Sequence, residues 1–177
     1  DRPLVYGADE PPMKQSILFV CTGNVFRSVA AEYAVRAQSD PQSCYQVESA
    51  GIKASPQSVP LVVCHPLIRK GIDPSAHIPQ ALTKELINQV DLIIAMSLNH
   101  REFIQRQFGL TAPLFNEVAL GKETPILDLH EALPDWERDL VQARDYVESV
   151  IDHIWASVPA LMARLSQFPG HRRPVKP

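Results

Sequence analysis

Apolar and polar positions alternate in blocks along this chain. Short runs rich in β-branched and aromatic residues near 16–21, 45–49, 91–95 and 113–116 read as strands, and stretches with helical spacing lie near 28–38, 58–70, 83–89, 98–107 and 137–165. This alternation predicts an α/β fold of three layers, a central four-stranded parallel sheet with helices on both faces. In such sheets ligands sit outside the carboxyl ends of the strands. The last helical stretch carries Leu140, Val147, Val150, Ile151, Ile154 and Val158 at near-helical spacing, which reads as core packing.

The junction between the first strand and the first helix holds the most informative residues, Cys21-Thr22-Gly23-Asn24-Val25-Phe26-Arg27-Ser28. Gly23 can take backbone angles forbidden to other residues and Asn24 tolerates the left-handed region, so successive N–H groups can turn inward to form an anion nest. The helix that follows adds its positive end. A thiol in that field ionises more easily, and thiolate is its nucleophilic form. Arg27 supplies a planar fork of donors able to hold two phosphoryl oxygens, and Ser28 can donate to the sulfur. An isolated Cys or Arg would read as a core or surface residue; the spacing of all these residues at one strand-to-helix turn points instead to a catalytic phosphate-binding loop.

Composition is that of a globular chain. Its 177 residues are 45% hydrophobic and 21% charged. A chain of this length buries about 70% of its unfolded surface in a single core, so it needs no disulfide or metal for stability. The formal charge of −3 leaves no basic footprint for nucleic acid or an anionic membrane. The cysteines Cys21, Cys44 and Cys64 show no metal-ligand spacing, and no apolar run is long enough to span a bilayer. A cytoplasmic, reducing setting is the expectation, and no role is read for Cys44 or Cys64. Residues 1–14 read as an N-terminal extension, with Met13 a candidate natural start. Residues 15–167 read as a single domain, and the Pro- and Arg-rich residues 168–177 as a solvated tail.

The loop resembles that of the low-molecular-weight protein tyrosine phosphatase family, a Cys-x5-Arg-Ser sequence with an internal Gly-Asn near the start of the chain. Further similarity lies in Ala31-Glu32, in Val47-Glu48-Ser49-Ala50-Gly51, in Gly71-Ile72-Asp73 with His77, and in Asp91-Leu92-Ile93-Ile94-Ala95-Met96. It covers residues 15 to 155. The resemblance implies a phosphomonoesterase that uses neither metal nor cofactor and acts on a phosphorylated protein or a small phosphomonoester. Cys21 would be the nucleophile, Thr22 to Ser28 the phosphate cradle, and Asn24, Ser28, Ser49 and His77 the polar network that holds the loop. A late Asp would protonate the leaving group. No Asp-Pro occurs where the family carries one, so the candidates are Asp128 and Asp135; His130 and Glu131 could also supply a proton, although acidic and histidine residues on loops usually read as solvated. Asp128 is favoured because its distance from the last helix is closer to the family's, whereas Asp135 also reads as the N-cap of that helix.

Several positions depart from the family pattern. Phe26 stands where members often carry a second Cys, which removes oxidative protection by that route, and Val29 replaces a common Pro. The aromatic residues that usually wall a phosphotyrosine ring are missing, since Ile52-Lys53-Ala54-Ser55 follows Gly51 and Leu129-His130 follows Asp128. A flat ring would find fewer stacking partners here unless Phe26 or Trp136 takes over. Val25 is aliphatic, like the Ile of tyrosine phosphatase members, where phosphoarginine-type relatives carry Thr. Two alternatives are a phosphate-binding module without turnover and an arsenate reductase. The second would need an external thiol, because no Cys follows Met96.

Overall fold

The computed structural model describes residues 15–42 and 45–171. The readings made for residues 1–14, for Cys44 and for residues 172–177 lie outside the described residues. Strand β1 (Gln15–Cys21) runs between β2 (Tyr45–Gly51) and β3 (Leu92–Ala95), and both neighbours are parallel to it. From Ile17 to Val20 no side chain of β1 reaches solvent, as a central strand with both faces covered requires. Removing each such side chain from water contributes about 1.5–3 kcal/mol.

Helices α1 (Arg27–Gln38), α2 (Leu61–Arg69), α3 (Lys84–Gln89), α4 (Leu98–Phe108), α5 (Phe115–Leu120), α6 (Leu129–Ala132) and α7 (Leu140–Arg164) pack around this sheet. Successive strand residues face opposite sides. Ile17, Phe19 and Cys21 meet apolar side chains of α1, α2, α5 and α7, while Leu18, Val20, Ile93 and Ala95 meet those of α3 and α4. Pro159 lies inside α7 and cannot donate to the carbonyl four residues back. That carbonyl, of Trp155, accepts instead from Gln38 Nε2 at 2.9 Å, which ties the end of α1 to α7.

Among the described residues the sheet has three strands, and the fourth expected near 113–116 is reduced to one parallel bridge between Ala95 and Leu114. Pro113 can accept from Ala95 but has no N–H to donate, and the Leu114 N–H is taken by the Glu117 carboxylate at 3.1 Å as α5 begins. The ladder cannot extend back because Pro113 lacks the N–H that would face β3, and it cannot extend forward because α5 begins at Phe115. Leu140 is a second correction: it opens α7 with 66% of its surface exposed, whereas Val147, Val150, Ile151, Ile154 and Val158 are buried as the periodicity predicts. Residues 168–171, read as the start of a solvated tail, instead dock on the sheet end. The His171 N–H donates to Asp91 O, its Nε2 lies 2.8 Å from Ile87 O, and Phe168 packs against the core.

At the carboxyl edge of the sheet, Gly51 lets the chain after β1 pass at close range. A Cβ there would lie 2.4 Å from Thr22 O and 2.9 Å from Asn24 N, closer than side-chain atoms approach backbone. Gly51→Ala is accordingly expected to displace residues 22–24 and to cost about 1–3 kcal/mol. Urea denaturation reads the stability loss, and isothermal titration with inorganic phosphate reads the weakened loop.

Candidate active site

Cys21 ends β1 and is buried, and the chain then turns through residues 22–26 into α1. Backbone bonds from Ile52 N to Cys21 O and from Lys53 N to Thr22 O, both 2.9 Å, fasten the start of this turn to the segment after β2. Asn24 has φ of 56°, left-handed and strained by about 1–2 kcal/mol for a residue with a Cβ. Four contacts offset that cost. Its Nδ2 donates to Ser28 Oγ at 2.9 Å and to Ser49 Oγ at 2.8 Å, its Oδ1 accepts the Gln80 N–H at 3.0 Å, and its carbonyl accepts from His77 Nε2 at 2.8 Å. Because Asn24 donates to Ser28, the Ser28 hydroxyl hydrogen is free to point at Cys21 Sγ, 2.9 Å away. That is the direction a thiolate needs.

Arg27 is 1% exposed. Its Nη1 donates to Ile126 O at 2.8 Å, and its Nη2 to Thr22 Oγ1 at 3.3 Å. The same side chain lies 3.5 Å from Asp128 Oδ2 and 3.8 Å from Glu131 Oε1. Its Nε is buried without a partner among the described residues. A buried donor left unpaired is costly, and an oxyanion held by the loop would satisfy it.

The segment carrying Asp128 reaches the loop because Ile126 is anchored from two sides, its N–H on Met96 O and its carbonyl on Arg27. The Tyr146 hydroxyl of α7 donates to Leu127 O. Asp128 caps α6, with Oδ1 accepting the Leu129 N–H at 2.8 Å, while Oδ2 faces Arg27. Asp135 is exposed and precedes a single 3-10 turn at Trp136–Arg138. It does not cap α7: Asp139 does, accepting the Gln142 N–H at 3.0 Å. Among the described residues, no group of three or more His, Cys, Asp or Glu is arranged to hold a metal ion.

The structure thus brings Cys21, Arg27, Ser28, Asn24, Ser49, His77 and Asp128 to one place, together with residues that sequence reasoning did not assign. Ser49 Oγ donates to Glu32 Oε1 at 2.7 Å, and Glu32 pairs with Arg36 at 2.8 Å. Burial pushes the Glu32 carboxyl up against the pull of these two partners. His100, wholly buried in the first turn of α4, lies with Nε2 2.9 Å from Thr22 Oγ1. Nothing in its spacing along the chain points to Thr22.

Burial, and then the charge on Arg27, push the His100 imidazole down from 6.5 to about 3. The unfolded chain would take up this proton near pH 6.5, while the folded protein resists it until about pH 3. The stability associated with neutral His100 is therefore complete above about pH 6.5 and is lost as pH falls towards 3. His100→Asn is expected to destabilise most at neutral pH and progressively less on acidification. Urea midpoints of the two proteins across that range test this, and a pH-independent difference would contradict it.

Over 145 residues the chain is 39% identical to the low molecular weight protein-tyrosine-phosphatase Ptp of Acinetobacter johnsonii, covering 71% of this chain and 98% of that protein. Over 96 residues it is 38% identical to a protein-arginine-phosphatase of Bacillus subtilis, and this match covers 52% of this chain and 63% of that relative's length. A solved structure of the YwlE arginine phosphatase, a cysteine-to-serine mutant with a phosphorylated active-site serine, superposes with a TM-score of 0.74 at 27% identity, covering 87% of this chain and 97% of that one. The family model for low molecular weight phosphotyrosine protein phosphatase matches residues 16–167, and the chain belongs to that family.

Proposed function

We propose that this protein is a cysteine-dependent protein phosphatase that hydrolyses phosphomonoesters through a cysteinyl-phosphate. The observation that carries the reading is the Cys21–Ser28 contact of 2.9 Å beside a buried Arg27 whose Nε has no partner among the described residues. Such a loop presents a nucleophile and an unfilled donor to the same small anion. Family membership and the phosphorylated serine in the related arginine phosphatase support it.

In the first step Cys21 Sγ, as thiolate, attacks phosphorus. The S–P bond forms, the ester P–O bond breaks, and the leaving oxygen takes a proton from Asp128. Ser28 donates to the thiolate. Arg27 and the N–H groups of residues 22–28 bind the equatorial oxygens, whose charge is spread in the transition state. In the second step Asp128, now a carboxylate, takes a proton from water as that water attacks phosphorus. The S–P bond then breaks, releasing phosphate and restoring the thiolate. Ser49 and His77 act at one remove by holding Asn24 left-handed. Asp128 is preferred to Asp135 as the acid because it lies 3.5 Å from Arg27 and leaves Oδ2 uncommitted to the helix cap.

Phosphorylated protein side chains are the proposed substrates, by analogy with relatives named for tyrosine and for arginine phosphatase activity. The unit responsible is residues 15–167, and a reducing, cytoplasmic compartment would keep the free thiols of Cys21 and Cys64 as they stand.

With p-nitrophenyl phosphate and chelator present, Cys21→Ser is expected to abolish turnover while leaving the thermal melt intact; retained activity would refute the covalent route. Asp128→Asn is expected to lower kcat by about 10²–10⁴-fold, the usual contribution of a general acid, and Asp135→Asn by far less. The opposite ranking would transfer the acid role to Asp135.

A further inference from the structure

Two carboxylates face the buried guanidinium, and the reaction above uses only one of them. Glu131 Oε1 lies 3.8 Å from Arg27 Nη1 and also accepts the Asp128 N–H at 3.1 Å. The capping box that starts α6 therefore holds the partly exposed Glu131 carboxylate on the side of Arg27. The same charges are felt at α7. Burial raises the Tyr146 phenol, Arg27 pulls it down, and Asp128 and Glu131 push it up again. The other ionisable neighbour, His130, is exposed, with Nδ1 3.6 Å from Asp128 Oδ2.

A count of charges shows the consequence. Arg27 brings one positive charge to the place where a dianionic phosphoryl group must sit. When Asp128 carries the proton it is to donate, Glu131 remains as a carboxylate competing for the same guanidinium. An oxyanion entering the loop meets a cation whose charge is already partly neutralised, together with a like charge on the adjoining turn.

We propose that Glu131 is an affinity-setting residue that weakens the hold of the loop on free phosphate and so limits inhibition by the product. This inference rests on the loop being a phosphate site. Glutamine at the third position of a helix can also complete a capping box, so Glu131→Gln removes the charge while keeping the bond to Asp128 N. Glu131→Asp keeps the charge.

The test is isothermal titration of the wild-type and variant proteins with inorganic phosphate at pH 7, paired with phosphate inhibition of p-nitrophenyl phosphate hydrolysis. Glu131→Gln is expected to bind phosphate about three- to tenfold more tightly, the size a half-exposed charge gives at this range. The gain should shrink with added potassium chloride, and Glu131→Asp should stay near the wild type. Unchanged or weaker binding in Glu131→Gln would overturn the proposal. So would equal tightening in Glu131→Asp, which would make side-chain length the cause. Phosphate that binds none of the three proteins would remove the phosphate-site reading and this inference with it. Binding that is merely indifferent to Glu131 would remove the inference alone.

Discussion

Burying the guanidinium of Arg27 is the constraint around which the site is organised. A lone cation removed from water costs several kcal/mol, and here the cost is offset by the Ile126 carbonyl, by Thr22, and by the carboxylates of Asp128 and Glu131. Most of these partners are distant in sequence, since Arg27 and Ile126 are 99 positions apart. The bond that solvates the cation therefore also positions the segment that carries the proposed acid. Deleting either carboxylate changes two things at once, the charge balance at Arg27 and the seating of α6.

The strained turn before Arg27 poses the complementary problem. A left-handed Asn24 persists because hydrogen bonds from Gln80 and His77, and to Ser28 and Ser49, over-determine it. Glu32 takes the Ser49 hydrogen, so Ser49 must accept from Asn24, and Ser28 is left to donate to sulfur. Direction is thus imposed on the hydroxyls by groups that can only accept, at one end, and by a backbone N–H that can only donate, at the other. Gly51 makes room for this turn, and the bonds from residues 52 and 53 keep it against the sheet.

What the sequence made legible follows from how local each signal is. The strand-loop-helix unit at 16–38 could be read because its apolar run, its Gly-Asn turn and its Arg-Ser ending are contiguous. Helix α7 could be read from its repeat, although Leu140 at its first position is exposed because the core-facing stripe begins only further along. The fourth strand failed because an apolar run around Pro113 looks like a strand, while its fate is decided by the N–H that Pro113 lacks and by the start of α5 at Phe115. Asp139, not Asp135, caps α7, since Trp136–Arg138 interposes a separate turn. His100 was illegible as a site residue: it meets Thr22 through a contact between residues 78 positions apart, and spacing carries no trace of such a contact. Glu131 could be read only as a further acidic residue able to supply a proton, and its contact with Arg27 left no trace in the spacing.

These features also explain why the site tolerates so unusual a rim. Relatives of this family commonly place aromatic residues after the acid, whereas Leu129, His130 and Glu131 stand there in this chain. Aromatic side chains would stabilise the turn by packing. Here the turn is stabilised by the capping box of Asp128 and Glu131, by the Tyr146 hydroxyl on Leu127 O, and by the pull of Arg27. Polar anchoring keeps the proposed acid beside Arg27 in place of an aromatic wall. The same substitution brings a second carboxylate to the phosphate cation. Structural support and anion affinity are for that reason coupled through Glu131 in this protein, and neither can be altered there without consequence for the other unless the capping bond is preserved as the charge is removed.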